Sequence, residues 1–181
     1  MNPPAPDDFW VFGYGSLMWN PGFPYVEERP GQVFGYHRSL CILSTHYRGT
    51  PDNPGLVLGL DSGGSCCGRA FRVAPRHVNA TLAYLDEREQ VTKVYCPHYL
   101  ETKLNDGRVV NAYTFVVRHQ HEQYAGRLTV EEQARLVARG VGDRGTALEY
   151  LANTVEQIDA LGVSDTPLHQ VLTMARSLAT S

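Results

Sequence analysis

Apolar and polar residues alternate over short stretches in the first two thirds of the chain, a pattern typical of β-strands with one buried face. Strands are predicted over residues 10–13, 32–44, 56–60 and 66–73, with two more runs between residues 94 and 117. The sequences Asp61-Ser62-Gly63-Gly64 and Asn105-Asp106-Gly107 each separate two runs and are rich in turn-forming residues. They predict two hairpins and mainly antiparallel pairing.

The last third of the chain has the apolar period of helices. The sequence Thr-x-x-Glu occurs at Thr129 and again at Thr146. In such a capping box the two side chains bind opposite backbone N–H groups at a helix start. Two helices are therefore predicted to begin there, the second ending at Gly162, and a third is predicted to begin near Thr166.

A further helix is predicted between the hairpins, from Pro75 to about Glu89, with proline in the first turn where its missing N–H costs nothing. Strands first and helices last indicate an α+β fold, in which five or six strands could close into a small barrel. The 181 residues suit one domain. We predict a flexible Pro-rich tail over residues 1–8 and a single domain over residues 9–181.

Composition excludes several classes of partner and cofactor. The net charge is −3 and the basic residues are scattered, so binding to nucleic acid is not expected. The sequence contains no long apolar run, so neither a membrane-inserted helix nor a signal peptide is predicted. The four cysteines lack C-x-x-C spacing, which favours buried thiols in a reducing cytoplasm over a disulfide framework or zinc. His119 and His121 have no third ligand at a known spacing, so a metal site is not expected.

The candidate chemistry begins at the first predicted strand, which runs into the glycine-rich turn Gly13-Tyr14-Gly15-Ser16. Small residues there leave several backbone N–H groups uncovered, and successive N–H groups suit a carboxylate or phosphate. The spacing fits neither a dinucleotide fingerprint nor a nucleophile elbow. A tight turn at a strand end, without function, is the alternative interpretation.

A carboxylate is predicted on the apolar face of the inserted helix. Val78, Leu82 and Leu85 form a stripe at helical spacing, and Glu89 falls within it, whereas Asp86, Glu87 and Arg88 fall outside. Burial and the helix C-terminus both disfavour a charged carboxylate, so the pKa of Glu89 is expected to be raised, as suits a general acid/base. Alternatively, the helix ends earlier and the side chain reaches solvent.

Taken together, several motifs resemble those of the ChaC-type γ-glutamylcyclotransferases, over nearly the whole chain. The motifs are Val11 to Leu17, the turn Arg48-Gly49-Thr50-Pro51, Tyr84-Leu85-Asp86-Glu87-Arg88-Glu89, the segment around Tyr124, and Gly142-Asp143-Arg144-Gly145. The resemblance implies a mixed β-barrel with flanking helices. It also implies a cytoplasmic lyase that converts glutathione into 5-oxoproline and cysteinylglycine without a cofactor.

The resemblance also implies roles for individual residues. Glu89 is the expected catalytic acid/base, and Tyr124 is an expected substrate contact. The residues expected to hold the γ-glutamyl group are Val11, Phe12, Gly13, Tyr14, Gly15, Ser16 and Leu17. Apart from the resemblance, Arg48 could bind the glycine carboxylate of glutathione through a bidentate pair, but we expect it to brace its own Pro-Gly turn instead.

Residues 90–94, which follow Glu89, depart from the family's run of small residues, and this leaves the leaving group open. Two alternatives therefore stand beside glutathione cleavage. One is a cyclotransferase for other γ-glutamyl amines, and the other is a non-catalytic regulator that binds a γ-glutamyl ligand.

Overall fold

The computed structural model describes residues 8–180, so that residues 1–7 of the predicted tail lie outside the described part. Two 3₁₀ turns, Ser16–Met18 and Pro75–His77, accompany the regular elements. In chain order the strands and helices are β1 (Phe9–Gly13), β2 (Glu27–Ser44), β3 (Gly55–Val73), α1 (Val78–Glu89), β4 (Tyr95–Leu104), β5 (Val109–Val117), α2 (Val130–Arg139), β6 (Val141–Gly142), β7 (Gly145–Thr146), α3 (Ala147–Ala160) and α4 (Thr166–Ala179).

Five strands form a closed barrel in the order β1-β3-β2-β4-β5. β1 runs antiparallel to β3, with Phe9 opposite Val73, and parallel to β5, with Trp10 opposite Ala112. β4 pairs antiparallel with both β2 and β5. The α+β fold with a mixed, mainly antiparallel barrel is thus confirmed, with one inserted helix and three helices at the C-terminal end.

The predicted hairpin at residues 61–64 is wrong, because β3 runs through them as one strand. Gly63 and Gly64 do adopt the left-handed backbone that the turn prediction required, with φ of 96° and 72°. The carbonyl of Gly63 lies 3.0 Å from Nδ1 of His37. Two glycines therefore disturb the strand locally without reversing it, as bulges do. The second predicted hairpin is confirmed, since β4 and β5 pair across residues 105–107.

The described chain divides into two compact units. One contains the described residues up to Arg38 together with Leu60–Arg118, and the other contains Ser39–Gly59 together with the described residues from His119 onward. In the first unit, α1 packs on an apolar cluster of the barrel through Leu85, which is fully buried, and through Val78 and Leu82. The cluster also contains Phe9, Val11, Leu17, Phe23, Phe71, Val73 and Phe115.

In the second unit, α2, α3 and α4 pack against one another. The capping box of α2 is present, since Oγ1 of Thr129 accepts from the Glu132 amide at 3.2 Å and Glu132 accepts from the Thr129 amide at 2.8 Å. Thr146 likewise accepts from the Glu149 amide at the start of α3. At the end of α3, Gly162 has a φ of 70° and closes a Schellman motif. The three predicted helix starts are confirmed.

The cysteines follow the prediction in part. Cys41 and Cys66 are buried, whereas Cys67 and Cys96 are partly exposed. Within residues 8–180, no group of three or more His, Cys, Asp or Glu side chains could hold a metal ion. None of the helices within residues 8–180 combines the length and the apolar composition that a membrane-spanning helix needs.

Candidate active site

The glycine-rich turn follows β1 directly and lies in the first unit. The amide of Met18 donates to the Gly15 carbonyl at 3.0 Å and closes the 3₁₀ turn Ser16–Met18. This turn packs tightly on the end of β1, because a Cβ atom at Gly13 would lie only 2.8 Å from Cβ of Leu17. A side chain at position 13 would therefore displace the turn.

Two side chains fix the turn from either side. Nε of Arg38 donates to the Tyr14 carbonyl at 2.7 Å, and its Nη2 donates to the Cys67 carbonyl at 2.6 Å. The Tyr14 hydroxyl is buried and donates to the Phe115 carbonyl at 2.8 Å. The Tyr14 side chain thus holds the turn to β5, and its hydroxyl proton is already used within the barrel.

The first amides of the turn take no part in these restraints. Among the described residues, none accepts a hydrogen bond from the amide N–H of Gly15, Ser16 or Leu17. Adjacent N–H groups of this kind attract anions, because each adds a fixed positive partial charge. The turn can therefore receive a carboxylate or a developing oxyanion.

The other members of the predicted substrate loop have a different position. The side chains of Val11 and Phe12 are fully buried, and both residues lie in the ladder between β1 and β3. The Phe12 carbonyl also accepts from Oγ1 of Thr114 at 3.0 Å. Leu17 is 7% exposed and belongs to the core cluster. Val11 and Phe12 thus build the strand that carries the turn, and the turn presents its backbone and the Ser16 hydroxyl.

Glu89 is the last residue of α1, so the helix does not end before it. Its side chain is only 19% exposed, and Oε1 lies 3.1 Å from Nε of Arg88. Asp86 and Glu87 are exposed, as predicted. The guanidinium favours the charged carboxylate and opposes the effect of burial, an influence that the sequence pattern did not reveal.

Arg88 was predicted outside the buried stripe, and this prediction is wrong. Its side chain is 4% exposed. Nη1 donates to the carbonyls of Asn20 at 2.6 Å and Pro21 at 3.1 Å and to the Tyr84 hydroxyl at 2.9 Å. A buried arginine is tolerated because it is paired and hydrogen-bonded in this way. The one sequence signal was the i, i+4 spacing of Tyr84 and Arg88, which places both on one face of the helix.

Arg88 also joins the two predicted parts of the site. Its Nη2 donates to the Ser16 hydroxyl at 2.9 Å, while Nε faces the Glu89 carboxylate. One guanidinium therefore connects the glycine-rich turn to the predicted acid/base. The structure brings Ser16 and Glu89 together although 72 residues separate Ser16 from Arg88.

Tyr124 belongs to the second unit. Its amide donates to the His121 carbonyl at 3.0 Å, its ring lies 4.8 Å from the ring of His119, and it forms an isolated bridge with Ile42. The expected contact of Tyr124 with substrate stays a prediction.

Arg48 also lies in the second unit and is buried. Its Nη1 donates to the Thr146 carbonyl at 3.3 Å and lies 3.6 Å from Oε2 of Glu149. These contacts hold the start of α3 rather than the turn at residues 48–51, so the expected bracing of that turn stays a prediction.

The fold and the motifs together define a protein family. The sequence profile described as "ChaC-like protein" matches residues 9–178, and the chain belongs to this family. A "Glutathione-specific gamma-glutamylcyclotransferase" of Escherichia coli is 36% identical over 169 residues, which cover 93% of this chain and 73% of that protein. "Gamma-glutamylcyclotransferase 2-3" of Arabidopsis thaliana is 32% identical over 164 residues, which cover 86% of this chain and 82% of that protein.

A solved structure has the same fold. The crystal structure of a selenomethionine-labelled γ-glutamyl cyclotransferase specific to glutathione from yeast superposes with a TM-score of 0.87. It covers 94% of this chain and 96% of that chain at 23% identity. The barrel with its flanking helices is therefore the fold of that enzyme.

Proposed function

We propose that the protein is a γ-glutamylcyclotransferase that cleaves glutathione into 5-oxoproline and cysteinylglycine. The observation that carries the proposal is the guanidinium of Arg88, which lies 2.9 Å from the Ser16 hydroxyl and 3.1 Å from the Glu89 carboxylate. An anion-binding turn and a proton acceptor thereby share one site. Membership of the ChaC-like family and the name of the glutathione-specific relative from Escherichia coli support glutathione as the substrate. The name of the Arabidopsis thaliana relative supports the γ-glutamylcyclotransferase reaction.

The reaction needs no nucleophile from the protein. The α-nitrogen of the γ-glutamyl group attacks the γ-carbonyl carbon, a lactam C–N bond forms, and the C–N bond to cysteine breaks. Two protons leave the α-ammonium, and two arrive at the departing nitrogen. A single carboxylate can carry both in turn, because it is a base towards the ammonium and, once protonated, an acid towards the leaving amine.

In this account Glu89 carries the protons. The amides of Gly15, Ser16 and Leu17 hold the α-carboxylate or the oxyanion that forms at the γ-carbonyl. Restricting the flexible γ-glutamyl arm to the attacking conformation can lower the barrier by about 7–11 kcal/mol. Positioning by the turn is thus the largest contribution that we assign to the site.

The test is to incubate the purified protein with glutathione in water enriched in ¹⁸O and to identify products by mass spectrometry. We expect equal amounts of 5-oxoproline and cysteinylglycine, with no ¹⁸O in either, because cyclisation consumes no water. Glutamate carrying ¹⁸O would indicate hydrolysis instead. Absence of both products, together with thermal stabilisation by glutathione, would favour a non-catalytic regulator.

A second candidate keeps the chemistry and changes the leaving group. It is favoured by residues 90–94 beside Glu89, where Lys93 has a left-handed backbone with a φ of 60°. Such strain in a residue other than glycine is often found at functional sites. Comparison of kcat/KM for glutathione, γ-glutamyl-alanine and γ-glutamyl-lysine separates the candidates, because only contacts remote from the reacting atoms differ among them. A cytoplasmic location belongs to the same proposal.

A further inference from the structure

Arg88 makes two kinds of contact, and different nitrogen atoms of its guanidinium group make each kind. Nη1 donates to the carbonyls of Asn20 and Pro21 and to the Tyr84 hydroxyl, all of which are structural partners. Nη2 and Nε instead face Ser16 and Glu89, the two groups to which the proposed reaction assigns chemistry. The planar guanidinium fixes the angle between these two directions, which a lysine ammonium cannot do.

The contact with Ser16 sets the direction of the serine proton. Arginine has five N–H donors and no acceptor, so the Ser16 oxygen must accept from Nη2. The hydroxyl proton must then point to another acceptor. Ser16 is partly exposed, and within residues 8–180 no acceptor is found for this proton. The hydroxyl proton is therefore directed away from Arg88 and is available to a bound ligand.

The contact with Glu89 has the complementary effect. The guanidinium Nε engages Oε1 at 3.1 Å and favours the ionised carboxylate. One buried cation thus prepares a donor on one side of the site and a base on the other.

We propose that Arg88 is a positioning residue for the cyclotransferase reaction, which orients the Ser16 hydroxyl towards the γ-glutamyl carbonyl and holds Glu89 in its ionised form. The inference rests on the proposed function. It adds a residue that acts through two others and does not itself exchange protons with the substrate.

The test compares Arg88→Met, Arg88→Lys and the control Tyr84→Phe, with kcat, KM and the pH profile of kcat measured on glutathione. For Arg88→Met we expect kcat to fall on the order of 100-fold with KM changed only a few-fold, because misplaced catalytic groups cost about that much. The acidic limb of its pH profile of kcat should move to higher pH, because loss of the neighbouring guanidinium raises the pKa of Glu89. Arg88→Lys should return the limb towards its original position while kcat stays low.

Tyr84→Phe removes one partner of Nη1 only, and we expect it to keep the wild-type kcat and pH profile. Wild-type values of kcat and an unmoved acidic limb in Arg88→Met would overturn the inference. So would a loss in Arg88→Met that disappears when kcat is expressed per folded molecule.

If Arg88→Met does not fold, a double-mutant cycle with Arg88→Lys and Ser16→Ala decides the matter. Because Arg88 acts partly through Ser16, Arg88→Lys should lower kcat less in the Ser16→Ala background than in the wild type. Strictly additive losses would overturn the inference. Failure of the proposed function itself gives a different result. In that case the wild-type protein releases no 5-oxoproline from glutathione.

Discussion

The close contact between Gly13 and Leu17 makes the site sensitive to a single methyl group. In Gly13→Ala the new Cβ would lie 2.8 Å from Cβ of Leu17 and 3.3 Å from the Met18 nitrogen. To reach an ordinary separation of 3.4 Å, the 3₁₀ turn must move by about 0.6 Å. The amides that we assign to substrate binding move with it.

This displacement predicts a loss of stability and a loss of activity. Overpacking of a buried site costs about 1–3 kcal/mol, which lowers Tm by about 2–12 °C in a protein of this size. A displacement of 1 Å at reacting groups can cost about 100-fold in rate, so a shift of about 0.6 Å should lower kcat/KM on the order of 10-fold. The assays are thermal unfolding and the initial rate of 5-oxoproline release.

Gly31→Ala is the matched control. Its Cβ would lie 2.9 Å from Cγ2 of Thr102, a contact of the same severity in β2 of the same unit. We expect it to lower Tm to a similar extent and to leave kcat/KM within about twofold of the wild type, a margin typical of changes away from the reacting groups. Equal losses of kcat/KM in both variants, or no loss in Gly13→Ala, would refute the link between the turn's position and activity.

Two further predictions concern stability. Thr129→Ala removes the cap of α2 and should cost about 1 kcal/mol, lowering Tm by about 2–4 °C without changing kcat; Thr173→Ala on the exposed face of α4 should not lower Tm. Hydrogen bonds from Arg108, Arg29 and Arg72 hold the pKa of Glu27 at about 2, below its usual 4.5. This carboxylate therefore stabilises the fold above pH 4.5 and ceases to do so as the pH falls towards 2. Acid titration of Tm should show a shallower decline in Glu27→Gln, and an identical decline would contradict the assignment.

The parts of the structure that the sequence predicted well depend on local chemistry. The capping box at Thr129 and the left-handed Gly162 operate within a few residues, so their patterns can be read along the chain. The apolar stripe on α1 was confirmed for Leu85 because a helix buries whichever face is most apolar. The turn signal of Gly63 and Gly64 was misleading, because β3 continues through both residues as one strand of the closed barrel.

The burial of Arg88 lay beyond this kind of inference. Its partners at Asn20 and Pro21 are 68 and 67 residues away, and the periodicity of a helix gives no information about distant carbonyl groups. A helical wheel ranks positions by apolarity, so it placed the charged Arg88 on the outer side and Glu89 in the stripe. The structure buries the Arg88 side chain and leaves that of Glu89 19% exposed, because each charge neutralises the other and Arg88 satisfies further acceptors.

The central claim is that Glu89 carries the protons of the reaction, and Glu89→Gln tests it most directly. Glutamine retains the shape and can still accept from Arg88, but it cannot act as a base at neutral pH. We predict that kcat on glutathione falls at least about 100-fold, while calorimetry gives a Kd for glutathione within a few-fold of the wild type. The exposed neighbour Glu87, changed to Gln, should keep the wild-type kcat. A Glu89→Gln variant that releases 5-oxoproline at the wild-type rate would contradict the account.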